Sequence, residues 1–178
     1  MKVCLQPVGS VRSDVIGYLR DKLGKIFGEC EIFEEIELPK YAYNPKRNQY
    51  NSSLILMRLP THCSVTLGIT EADLYAYTFN FIFGEAELKG KRAIISLARL
   101  DPEFYGHEKN DELLKVRALK EAMHEIGHVL GLVHCGNRRC VMCFSNTIFD
   151  TDYKDWKYCE RCLEFLRSKG LEINLEIK

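Results

Sequence analysis

One eleven-residue stretch constrains this chain more than any other: His124-Glu125-Ile126-Gly127-His128-Val129-Leu130-Gly131-Leu132-Val133-His134, of the form H-E-x-x-H-x-x-G-x-x-H. His124 and His128 stand four apart, so on a helix they project from one face, one turn apart, and can bind one metal ion. Glu125 is about 100° round the helix from His124. It can lie beside the metal without being a ligand, where a general base for a metal-activated water must be. Gly131 takes positive φ at little cost, so it can end the helix and turn the chain. The turn carries His134 back to the same ion. Three neutral nitrogens leave a fourth position open for water or a substrate carbonyl, which separates a catalytic zinc from a structural one. Two histidines four apart are often ordinary surface residues. The extension through Gly131 to His134 is what makes the pattern specific.

The residues after His134 add a second pattern. Cys135, Cys140, Cys159 and Cys162 read C-x4-C-x18-C-x2-C. Four thiols with a C-x-x-C knuckle suit a closed tetrahedral zinc site. The same cysteines could form two disulfides, or be small buried residues. The C-x-x-C beside a metal motif favours zinc. Met142 stands eight residues beyond His134. Alone it would be ordinary core.

Together, H-E-x-x-H-x-x-G-x-x-H-C-x4-C-x-M followed by C-x-x-C resembles the archaemetzincins, a family of the metzincin type. The match runs from His124 to Cys162, and Phe81-Ile82-Phe83-Gly84-Glu85-Ala86 and Ser96-Leu97-Ala98-Arg99-Leu100 look like further family segments. The resemblance implies a zinc metallopeptidase with two zinc ions per chain. His124, His128 and His134 would hold the catalytic ion, with Glu125 as base. Cys135, Cys140, Cys159 and Cys162 would hold the structural one, and Met142 would form the supporting turn. Cys143 falls outside the ligand pattern, though it could compete with Cys140. By analogy with metzincins, the strand from Phe79 into Glu85-Ala86 would be an edge strand along which extended substrate lies.

Composition sets the outer limits. At 178 residues the chain is expected to form a single catalytic domain with a buried core. Residues 1–131 would make an upper part ending in the active-site helix, and 132–178 a lower part with the methionine turn and the four cysteines. Lysine plus arginine equals aspartate plus glutamate at 25 each. A neutral chain carries no electrostatic footprint for nucleic acid or anionic membrane. No stretch is long and apolar enough to span a bilayer. The eight cysteines, with no apolar leader after Met1, point to a reducing, cytoplasmic compartment. Cys4, Cys30 and Cys63 are then small buried residues. The expected partners are peptide or protein substrates, and the expected state is a monomer.

Pattern along the chain predicts an α/β fold of the α+β type: a mixed twisted sheet with helices packed on it. Strands are expected at 3–8, 31–38, 64–69, 78–83 and 93–97. Helices are expected at 15–27 and 49–59, from about Asn110 to Gly131, and at 156–169. Residues 135–155 read as irregular, and the alternating tail 171–178 is unassigned. Tyr105 and His107 could approach the metal from the loop before the long helix, and Glu121 could support it from one turn earlier. The leading function is peptide-bond hydrolysis by a zinc-activated water with a glutamate base. The alternative is a zinc-stabilised binding protein of the same fold with little or no peptidase activity.

Overall fold

The computed structural model describes residues 1–177; Lys178, the last residue of the expected lower part, lies outside them. β1 (Lys2–Pro7) leads into α1 (Ser13–Phe27) and β2 (Glu29–Ile32). β3 (Tyr43–Asn44), β4 (Gln49–Asn51), α2 (Ser52–Leu56), β5 (Val65–Thr70), β6 (Leu74–Tyr75), β7 (Gly84–Ala86) and β8 (Arg92–Ser96) follow. The chain then forms α3 (Asp111–Val129), α4 (Ile148–Tyr153) and α5 (Glu160–Ser168).

The main sheet has the order β2-β1-β5-β8-β7, and β3, β4 and β6 form a small second sheet. β2, β1, β5 and β8 are mutually parallel, whereas β7 runs antiparallel to β8 at the edge. Parallel strands are expected to be apolar on both faces when both are covered. Here Val3, Leu5, Leu67, Ala93 and Ile95 join the core with α1 and α3, while Ile94 faces a smaller cluster with Ile55, Leu56 and Leu59. The edge position of β7 agrees with the reading of Glu85-Ala86 as an edge strand.

Several expected elements differ, each for a local reason. The helix expected at 49–59 begins only at Ser52, because Gln49–Asn51 is drawn into the second sheet and Asn51 caps the first turn by accepting from Leu54 N. The strand expected at 31–38 stops at Ile32, with one further bridge between Val8 and Ile36. Pro7 has no N–H to continue the ladder, and the Gln6 side chain instead donates to the Glu34 carbonyl at 2.6 Å. The strand expected at 78–83 is a loop with a single bridge, Ile82 to Leu74. Tyr77 takes φ 52°, and Arg47 binds the carbonyls of Phe79 and Asn80 at 2.8 and 3.1 Å, where a strand partner would. Residues 148–153, expected to be irregular, form α4 behind a capping box of Thr147 and Asp150. Residues 171–177 form no strand, but Leu171, Ile173, Leu175 and Ile177 pack on the core.

One cysteine expectation is overturned. Cys4 and Cys63 are joined by a disulfide that ties β1 to the loop before β5, 59 residues apart in sequence. Cys30 stays free and half-buried. Burial brings the two thiols together, and no spacing rule in the sequence could pair them.

Candidate active site

α3 carries the centre of the site. Asn110 caps it by accepting from Leu113 N at 3.0 Å, and Asp111 and Glu112 occupy the positive end of its dipole. Leu114, Ala118, Ala122, Met123, Ile126 and Val129 bury it in the core. Gly131, at φ 100°, ends it in a Schellman motif: Leu132 N donates to Gly127 O at 2.9 Å and Gly131 N to His128 O at 3.0 Å. The chain therefore turns back where the sequence predicted, and His134 meets the helix histidines.

The three imidazoles offer nitrogen atoms that all lie within 4.8 Å of one another. His124 Nδ1 donates to the Val141 carbonyl at 2.7 Å and His128 Nδ1 to the Leu132 carbonyl at 2.8 Å. A carbonyl only accepts, so each Nδ1 bears the hydrogen and each Nε2 has its lone pair free. Those two Nε2 atoms stand 3.1 Å apart. Nitrogens tetrahedrally placed about 2.1 Å from a zinc would be roughly 3.4 Å apart, so the donor set fits the ion. Burial pushes all three histidines below the usual imidazole value, with Lys154 adding to the effect at each. Neutral rings are the form that binds metal.

The four sulfurs of Cys135, Cys140, Cys159 and Cys162 form a second group. Cys135 Sγ lies 3.8 Å from Cys159 Sγ, and Cys140 Sγ lies 3.8 Å from Cys162 Sγ. A disulfide needs about 2.04 Å, whereas thiolates around a tetrahedral zinc at about 2.3 Å stand roughly 3.8 Å apart. The four are free thiols in this arrangement. Cys143 stands apart, its Sγ directed at the Phe144 carbonyl at 3.8 Å. Between the two groups the chain makes a tight turn: Cys143 N donates to Cys140 O, and Cys135 N to Met142 O, both at 2.9 Å. Met142, fully buried, is held in that turn beneath α3.

Glu125 lies in the wall of a cleft of about 600 Å³ that also exposes His124, His128 and His134. Its carboxyl is buried, and burial first, then the neighbouring Glu121, pushes it well above the usual carboxylate range. Gly84, at the start of β7, makes room for it. A Cβ there would stand 2.7 Å from both Glu125 Cγ and Oε1. β7 forms one wall of the cleft, and Phe79, Phe81, Phe83 and Phe144 make much of it apolar. Glu121 also reaches the cleft, and its Oε1 accepts from Thr151 Oγ1 at 3.0 Å and pairs with Lys154 at 3.3 Å. Tyr105 and His107 do not line it; Tyr105 instead donates to the Arg99 carbonyl at 2.6 Å. Gly84 and Lys154 are the residues that sequence reasoning missed. The family-like Phe-Gly-Glu-Ala segment was the available signal for the first, and nothing pointed to the second.

The model of peptidase family M54 matches residues 46–168, which include every residue of both clusters. The chain belongs to peptidase family M54. An archaemetzincin of Methanocaldococcus jannaschii is 58% identical over 175 residues, covering 98% of each chain. One of Pyrococcus furiosus is 44% identical, covering 94% of this chain and 93% of the relative. The crystal structure of the Archaeoglobus fulgidus archaemetzincin, complexed with malonate, superposes with a TM-score of 0.84 at 45% identity over 92% of this chain and 99% of that one. This M54 chain thus has the metzincin-like α/β fold of the archaemetzincins, and it is a zinc metallopeptidase, a hydrolase acting on peptide bonds. No helix among the described residues is long and apolar enough to cross a membrane.

Proposed function

We propose that the chain hydrolyses peptide bonds with His124, His128 and His134 as the ligands of a catalytic zinc and Glu125 as the general base. A second, structural zinc would lie on Cys135, Cys140, Cys159 and Cys162, two ions in all. The observation that carries the reading is the placement of Glu125: a buried carboxylate in the cleft wall, adjacent to three imidazoles whose free nitrogens converge. Zinc, when bound, supplies Lewis acidity that polarises the peptide carbonyl and acidifies water. Glu125 takes a proton from the attacking water as oxygen bonds to the carbonyl carbon. It then delivers that proton to the amide nitrogen as the C–N bond breaks. The exposed edge of β7 would bind the substrate backbone in extended form by strand addition, beside the aromatic wall.

The structural side of the proposal divides the single catalytic domain at the end of α3, with residues 1–131 above the cleft and 132–178 below. The protein would act as a monomer in the cytoplasm, without nucleic-acid or membrane partners. The Cys4–Cys63 bond departs from the fully reduced cysteines on which that compartment was expected.

The test is Glu125→Ala in the zinc-loaded chain, assayed on a mixed peptide library. The variant should keep its metal and lose hydrolysis by roughly 10²- to 10⁴-fold. Equal cleavage by variant and parent would remove Glu125 from its role. A loaded parent that binds peptides but cleaves none would favour the binding-protein alternative.

A further inference from the structure

Lys154 follows α4, and its ammonium is almost wholly enclosed, with 1% of the side chain exposed. It has two partners on different elements. Nζ lies 3.3 Å from Glu121 Oε1 on α3, and it donates to the Cys143 carbonyl at 3.3 Å. Glu121 is itself enclosed, with 3% of its side chain exposed, and stands three residues before His124. A buried ion pair costs desolvation that the attraction need not recover, so stability alone gives it little reason to be there. The segment it holds suggests the reason.

Residues 139–143 run beside 155–157. Asp155 N donates to Arg139 O at 2.8 Å, and Val141 N donates to Lys157 O at 3.0 Å. With Lys154 on the Cys143 carbonyl, the strip is tied on both sides of Val141. The carbonyl of Val141 is the acceptor for His124 Nδ1. Such partners fix the orientation and basicity of a ligating imidazole, and their loss typically weakens metal binding about 10- to 100-fold.

We infer that Lys154 is a positioning residue for the histidine centre: paired with Glu121 on the active-site helix, it holds the Met142 turn so that Val141 presents its carbonyl to His124. It touches neither substrate nor reacting atoms. The inference rests on His124 being a metal ligand. Glu121 carries the counter-charge and also accepts from Thr151, so the link joins α3, α4 and the turn through one ammonium.

The experiment loads the full chain with Co²⁺ and titrates it with a competing chelator, reading the histidine and thiolate sites by their different visible spectra. Lys154→Met should bind cobalt at the histidine site about tenfold more weakly and leave the thiolate site unchanged. The proton resonance of His124 Nδ1–H, read with ¹⁵N-labelled histidine in the zinc-loaded chain, should shift or vanish. Arg117→Met is the control. Arg117 binds Asp152 of α4 at 2.7 and 2.8 Å but does not touch 139–143. It should lower the melting temperature without moving either readout. If Lys154→Met leaves a lone buried carboxylate and does not fold, Lys154→Met with Glu121→Gln removes both charges at similar volume and should show the same tenfold weakening. Parent-like affinity in the folded variant, or an equal weakening by Arg117→Met, would overturn the inference. A parent without a histidine-site spectrum would instead overturn the assignment of the ligands themselves.

Discussion

Met142 occupies the space that a side chain at residue 127 would need. A Cβ built on Gly127 clashes with the thioether sulfur and stands 3.1 Å from both Met142 Cε and Tyr158 Cε1. Gly127 lies between Glu125 and His128 in a helix interior, where glycine costs about 1 kcal/mol relative to alanine. The helix accepts that cost so the turn can lie against its backbone beneath the histidines. Tyr158 cannot yield easily, because its hydroxyl donates to the Met123 carbonyl at 2.7 Å.

Gly127→Ala should therefore destabilise the chain despite alanine's better helix propensity. Overpacking of this kind costs about 1–3 kcal/mol, and the expected outcome is a lower melting temperature in the metal-free protein. In a Met142→Ala background the same substitution should cost less, since its main obstacle is gone. A Gly127→Ala protein more stable than its parent would show that the turn adapts freely.

How much of this could be read beforehand depended on how local each cause was. His124, Glu125, His128, Gly131 and His134 were readable because one helix and one turn set their geometry, and the Schellman end at Gly131 is where the spacing placed it. The cysteine group was readable as a pattern, but only the 3.8 Å sulfur separations distinguish thiolates placed for zinc from disulfides. Gly127 falls on an unspecified position of the motif, and its reason is Met142, fifteen positions on. Residues 49–51 and 78–83 were misread because their partners, β6 in one case and Arg47 in the other, lie far along the chain. α4 escaped notice because Ile148 and Thr151 alone bury it, too few to make a periodic pattern.

The Cys4–Cys63 bond should be a main contributor to stability. It closes a loop of 59 residues' separation, for which the chain-entropy argument gives about 4 kcal/mol. Cys63→Ser should lower the urea midpoint, and the unfolding free energy extrapolated from the transition should fall by no more than that amount. Alkylation of the denatured, metal-free chain should label six thiols, the number of free cysteines in the structure. Eight labelled thiols in protein kept from reductant would show that the bond does not form.

The histidines should make the metal-free fold acid-sensitive. Burial holds the imidazoles of His124, His128 and His134 below the unfolded value of 6.5. Below pH 6.5 the unfolded chain then binds more protons than the native one, and stability falls with pH. The contribution is complete above 6.5 and is lost as pH drops toward the folded values. Melting temperature measured from pH 8 to pH 5 should decline over that window, and less steeply in His124→Gln. Identical slopes for the two proteins would mean that His124 stays accessible to protons.

The thiolate group should hold the histidine group in place. Cys135 follows His134 directly and is buried, while His134 is exposed to the cleft. With zinc on both groups, the open site should give up its ion first under a chelator, and the enclosed thiolates later. Cys159→Ser removes one donor from the lower group and none from the upper. Cys159 Sγ lies 3.8 Å from Cys135 Sγ, and α5 begins at the next residue, so an incomplete donor set should loosen both the segment from Cys135 to Cys143 and the seating of α5. The expected result is a lower melting temperature together with weaker zinc at the histidines, although residue 159 contacts none of them. Native mass spectrometry along a chelator titration, run beside thermal unfolding, measures both. Parent-like values for the two quantities would mean that the cysteines hold no ion, or that the backbone from Cys135 to His134 transmits nothing to the active site.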